Sequence, residues 1–93
     1  MEILQTEKGN EGLFFVKVDD EILAKLQYHY AGPGKMIIDH TEVDDKLGGK
    51  GIGKQLVAKA VSFAREHKLK ILPLCPFAKA LFDRIPEYGD VLF

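Results

Sequence analysis

Tryptophan is absent from this 93-residue chain, and cysteine occurs once, at Cys75. A lone cysteine excludes an internal disulfide, and no Cys/His cluster has the spacing of a zinc site, so no metal centre is expected. Charge of one sign is also scarce in excess: 13 Lys and Arg stand against 14 Asp and Glu, a net charge of −1. General affinity for nucleic acid or a membrane surface needs a basic surplus, so neither is expected as a partner. No apolar run approaches a membrane span, and residues 1–11 are too polar and mixed in charge for a signal sequence. These absences point to a reducing, cytoplasmic setting. Repeats, low-complexity tracts and linker-like stretches are missing too, and the length suits one domain, residues 1–93, around one core.

What is present reads as alternating α and β structure. Residues 13–18 are rich in aromatic and β-branched side chains and predict a strand, closed by a turn at Asp19-Asp20. From Ile22 the chain alternates. Ile22, Ala24, Leu26, Tyr28 and Tyr30 fall on one face, Lys25, Gln27 and His29 on the other, and Leu23 breaks the rule. Gly32-Pro33-Gly34 predicts a turn. In the strand expected at 36–43, alternation puts Met36, Ile38, His40 and Glu42 together, opposite Ile37, Asp39, Thr41 and Val43. A strand that turns polar as it enters a glycine loop marks a ligand site at its carboxyl end.

Ile52, Leu56, Ala60, Phe63, Ala64 and His67 then follow helical spacing, with Val57 and Val61 widening the stripe. Residues 70–74 predict a strand parallel to 36–43, joined by a right-handed crossover, whose pairing fails near Pro73 for want of a donor. Pro76 suits the first position of a second helix, with Cys75 as its N-cap and Ile85-Pro86 as its end. Residues 91–93 are expected to add an edge strand or pack on the core.

The densest signal is Gly48-Gly49-Lys50-Gly51-Ile52-Gly53-Lys54. Glycines allow positive φ and a close approach to bare N–H groups, and the helix start adds unpaired donors and a positive dipole end. Such a segment is built to hold a phosphate. Gly48, four residues, Gly53 and Lys54 approach the nucleotide P-loop pattern, but Gln55 stands where a metal-binding hydroxyl is needed. The dinucleotide pattern G-x-G-x-x-G fails, since Lys54 or Leu56 takes the third glycine's place.

Gly51-Ile52-Gly53 after a polar-ended strand resembles the acetyl-CoA pyrophosphate loop, [RQ]-x-x-G-x-[GA], of the GCN5-related N-acetyltransferases (GNAT). His40-Thr41-Glu42-Val43 and Leu74-Cys75-Pro76 resemble the short single-domain branch of that superfamily. The resemblance covers nearly the whole chain. It implies an α/β (α+β) fold, a minimal GNAT-like mixed sheet of antiparallel strands plus a splayed parallel pair, with two main helices. The family's loop Arg or Gln falls on Gly48. Of N-x-x-A-x-x-[FL]-Y, Ala78 and Leu81 match, while Cys75 replaces Asn and Phe82 replaces the tyrosine that protonates the departing thiolate.

The resemblance further implies transfer of an acetyl group from acetyl-CoA to an amine acceptor, which an open cleft makes plausible on a protein or peptide. Gly48, Gly49, Lys50, Gly51, Ile52, Gly53 and Lys54 would hold the pyrophosphate, and the Val43 backbone would align the thioester. The alternative is a non-catalytic module binding CoA or acyl-CoA. Candidate catalytic residues are Cys75, whose thiol is acidified at a helix start, and His40 with Glu42 as base or water relay. Asp39 and Thr41 read as structural, and His29 and His67 as surface residues without chemistry.

Overall fold

The computed structural model describes residues 1–93. One mixed sheet runs in chain order from β1 (Leu4–Lys8) through β2 (Glu11–Val18), β3 (Glu21–Tyr30) and β4 (Lys35–Val43) to β5 (Lys70–Pro73). The first four strands are antiparallel neighbours, and β5 lies parallel to β4. Helices α1 (Ile52–His67) and α2 (Pro76–Arg84) follow β4 and β5, with 3-10 turns at Asp45–Leu47 and Pro86–Val91. The tail adds a parallel bridge from Leu92 to Ile71, and Val91 is buried.

The β2–β3 hairpin closes on Asp19 and Asp20, with φ of 51° and 67°. Two left-handed residues match the twist of the flanking strands, and Asp tolerates that region better than most residues. β1 falls in the segment that reads as merely polar. Its apolar content is one leucine, so hairpin pairing with β2 rather than burial fixes it.

Two β-bulges alter the facing that simple alternation predicts. Val16 pairs with Ala24 and Lys17 with Ile22, so Leu23 is an extra residue in β3. Leu23 and Ala24 both turn to the core, and Ile22 is 46% exposed rather than buried. In β4, Gln27 pairs with His40 and Tyr28 with Ile38, leaving Asp39 as the extra residue. Beyond it Thr41 pairs with Leu26 and Val43 with Ala24. Thr41 and Val43 therefore share the core-side face with Ile38, and His40 and Glu42 lie on the other.

α1 covers the core side. Its buried positions, Ile52, Gly53, Leu56, Val57, Ala60, Val61 and Ala64, follow the 3.6-residue period. Leu56, Val57 and Val61 are at most 1% exposed, each contributing roughly 1.5–3 kcal/mol. Lys68, in left-handed conformation, ends the helix by donating its N–H to the Ala64 and Arg65 carbonyls. Phe63 is half-buried against Phe14 and Tyr28, whereas His67, on the predicted stripe, is exposed and stacks on Phe63. At the β1 end, Tyr28 donates to Glu7 Oε2 at 2.6 Å and accepts from Gln5 Nε2 at 2.8 Å, while Tyr30 also donates to Glu7. The opposite sheet face carries no helix, and none of its side chains is fully buried.

Candidate active site

The glycine segment leaves β4 through Asp44, whose carboxylate accepts from Lys46 N–H at 2.9 Å, and is pinned by buried Leu47. Gly49 (φ 77°) and Gly51 (φ 69°, the α1 N-cap) adopt the left-handed conformation. That conformation costs a residue with a Cβ roughly 1–2 kcal/mol. The N–H groups of Gly49, Lys50 and Gly51 meet no acceptor within the chain. Those of Ile52, Gly53 and Lys54 are orphan donors of the first helical turn. Lys50 and Lys54 are exposed. A cavity of about 250 Å³ runs along this loop, bordered by Val43, Gly51, Gly53 and Phe77 among others. Gly53 is buried because the Phe77 ring of α2 lies against it: a Cβ there would stand 2.8 Å from Phe77 Cζ.

β4 and β5 part where the proline predicts. The last register pair is Ile38 with Pro73, and the Ile38 carbonyl then accepts from both Leu74 N–H (3.1 Å) and Cys75 N–H (3.2 Å). β4 runs on alone to Val43 while the chain turns into α2. Asp44 N–H bonds to the Leu23 carbonyl of β3 at 2.7 Å. By the alternation of an antiparallel ladder, the backbone groups of Val43 and Thr41 point the other way, into the gap that β5 has left. The Val43 backbone, which the family resemblance assigns to the thioester, thus faces the gap, as does that of Thr41.

Cys75 is the N-cap of α2 and is buried, 6% exposed. Its thiol donates to Thr41 Oγ1 at 3.6 Å. Burial works to raise the thiol's pKa, but the Ala78, Phe77 and Thr41 amides and the Thr41 hydroxyl outweigh it. The net effect holds the thiol below its ordinary range, although no side-chain capping bond closes on the helix. Phe82, also buried, packs on Tyr88 at 5.4 Å between ring centroids.

His40 and Glu42 are not gathered around this thiol. The bulge at Asp39 places them on the bare face, both exposed, in register with Gln27 and Lys25. The same bulge brings Thr41 to Cys75 and Asp39 to His29, whose Nδ1 lies 2.8 Å from Asp39 Oδ2. Alternation thus misassigns the facing of Thr41, Val43, His40 and Glu42, whereas His29 and Asp39 keep the open face it gives them. One clue was present: two polar residues on each face of one strand end fit no regular strand. A second cavity, about 330 Å³, opens beside Leu13, Lys25, Gln27, Glu42, Val43 and Asp44. Val43 and Asp44 border both cavities.

A GCN5-related N-acetyl-transferase family model matches residues 13–91. Protein NATD1 of Xenopus tropicalis is 40% identical over 71 residues, a match covering 74% of this chain and 65% of that protein. The Homo sapiens NATD1 is 40% identical over 71 residues, covering 63% of its length; the chain thus spans under two thirds of these relatives. A GCN5-like protein from Staphylococcus aureus, solved by NMR, superposes with TM-score 0.76 at 36% identity, covering 99% of this chain and 87% of its own. A Bacillus anthracis protein in complex with acetyl coenzyme A shares the fold, with TM-score 0.58 at 24% identity, covering 71% and 39% of the two chains. The chain belongs to the GCN5-related N-acetyltransferase family.

Proposed function

We propose that the chain transfers an acetyl group from acetyl-CoA to an amine. The observation that carries this is the meeting of two cavities at Val43 and Asp44, one along the bare amides of the glycine loop and one on the open sheet face. A phosphorylated donor on one side and an acceptor on the other would meet beside the parted strands. The loop amides, Lys50 and Lys54 suit the pyrophosphate of CoA. The Val43 N–H, turned into the gap, suits an extended pantetheine arm and the oxygen of a thioester, whose negative charge grows as the amine attacks. The Thr41 N–H is held by the Cys75 thiol. Glu42 and Asp44, bordering the second cavity, favour a cationic acceptor.

Cys75 serves the thiol side of the reaction. As an acid it gives its proton to the departing CoA sulfur; as a nucleophile its thiolate takes the acetyl group, releasing CoA, and passes it to the amine. Phe82, in the place of the family's tyrosine, has no proton to give, so Cys75 is the group left for this task. Phe82 also favours a second reading, a binding module that holds CoA or acyl-CoA without turnover.

CoA titration followed by calorimetry tests both readings, and no saturable heat at millimolar CoA overturns both. Intact mass after incubation with acetyl-CoA tests the covalent route: wild type gains one acetyl group and Cys75→Ala gains none. A wild type that binds CoA yet releases no thiol with any amine leaves the binding module.

A further inference from the structure

The bulge in β4 assembles a second reactive group on the bare face, and nothing in the loop or around Cys75 requires it. His29 Nδ1 and Asp39 Oδ2 are 2.8 Å apart, with side chains 35% and 31% exposed. Asp39 is the extra residue of the bulge and directly follows Ile38, whose carbonyl marks the parting of β4 and β5. The carboxylate takes up Nδ1, so Nε2 is the ring nitrogen left for another partner, and it makes no hydrogen bond within the chain. The other two histidines differ. His40 has no hydrogen-bond partner, and His67 Nδ1 is engaged by the Phe63 carbonyl in the last turn of α1. Across the sheet Glu11 is in register with His29, and Lys8 with Glu11.

We infer that His29 is the proton acceptor for the incoming amine and that Asp39 is its positioning residue. This inference rests on the transfer reading above. A histidine oriented through Nδ1 by a carboxylate presents Nε2 as a base of fixed direction. Gln27, which lines the second cavity, is the neighbour of His29 along the same face of β3. His29 and Asp39 thus continue the acceptor face toward the parting of the strands, with Cys75 and Thr41 on the core side. The substrate ammonium gives one proton to Nε2, leaving a neutral amine and an imidazolium. The nitrogen lone pair then forms the C–N bond, the C–S bond breaks, and the thiolate leaves with its electron pair. Cys75 gives its proton to that thiolate and recovers one from the second amine N–H, and His29 releases the first to water. The acceptor class is therefore an amine that is cationic at neutral pH, such as a lysine side chain or an alkyl amine.

The test compares two nucleophiles in wild type, His29→Gln and Asp39→Asn, reading CoA thiol released from acetyl-CoA. A lysine-containing peptide must lose a proton before it attacks; hydroxylamine, uncharged at neutral pH, need not. His29→Gln is expected to slow transfer to the peptide about 10²-fold, the lower end of what a positioned base contributes, while the hydroxylamine rate stays within about twofold. Asp39→Asn is expected to show the same selective loss at smaller size. The hydroxylamine rate also reports folding, so a merely damaged variant loses both rates together. Equal losses on both nucleophiles, or none on the peptide, overturn the dyad and leave acetyl transfer standing. A wild type inactive on both nucleophiles overturns the two together.

Discussion

Gly12→Ala adds a single methyl group to β2, and its cost can be worked from the contacts of Tyr28. The glycine has no positive φ, so alanine would ordinarily stiffen the unfolded chain and stabilise the strand by roughly 0.5–1 kcal/mol. Here the new Cβ would stand under 3.0 Å from Tyr28 Cζ, Cε1 and Oη. Carbon atoms rest at about 3.5–4.0 Å, so the ring has to retreat by roughly 1 Å or more. It has nowhere to go: Tyr28 is 1% exposed and lies 5.3 Å from the Phe14 ring, 5.8 Å from Tyr30 and 6.2 Å from Phe63. Moving it also stretches the bonds to Glu7 and Gln5.

Overpacking of this kind costs about 1–3 kcal/mol. A weakened bond to a charged carboxylate adds about 1.5–3 kcal/mol. After the backbone offset the net loss is about 2–5 kcal/mol, large against the 5–15 kcal/mol of a typical domain. With a urea slope near 1 kcal/mol/M, the unfolding midpoint should fall by about 2 M or more. A Tyr28→Leu partner mutation clears the space, so the double-mutant cycle should show coupling of at least about 1 kcal/mol. A Gly12→Ala midpoint within about 0.5 M of wild type would refute the reasoning, as would strict additivity.

Two further perturbations separate stability from binding and test the tyrosine pair. Gly53→Ala pushes on the tip of the Phe77 ring, which is 41% exposed and can swing outward. Its thermal midpoint should hold or rise, since alanine favours a helix over glycine by about 0.5–1 kcal/mol, while CoA affinity by calorimetry falls; a lost midpoint with unchanged affinity contradicts this. Burial, then the hydrogen bond to Glu7, pushes Tyr30 up to about 12 and raises Tyr28 also. The folded state thus keeps phenolic protons that the unfolded chain sheds from about pH 10. Stability from this pair is full below pH 10 and is lost as pH rises toward about 12, and Tyr30→Phe should flatten that alkaline decline in melting temperature. An equally steep decline in Tyr30→Phe contradicts the assignment.

Periodicity and punctuation reveal most of this architecture. α1 follows its apolar spacing, α2 starts at Pro76 with Cys75 as cap, and β4 and β5 part at Pro73. These are local rules, in which one residue's geometry decides. β1 escapes because its stability comes from pairing with β2, which leaves no apolar pattern in residues 4–8. The glycine loop and cysteine of the candidate site are marked by residue type alone. The facing of Thr41, Val43, His40 and Glu42 is misread, because alternation assumes a strand with no extra residue. A bulge is a property of two strands in register, and β4 alone does not display it.

The ladder between β3 and β4 needs no residue 39. With Asp39 removed, Ile38, His40 and Thr41 would still meet Tyr28, Gln27 and Leu26 in unbroken sequence, each on its present face. The strand therefore contains a supernumerary position, supplied to the sheet but not required for knitting it. Such a position is free of the packing and pairing demands that govern its neighbours, so its side chain answers only to what it touches. Deleting Asp39 is then a different experiment from mutating it. It asks whether the sheet closes cleanly over the gap, and what His29 does once its partner has been taken away rather than replaced.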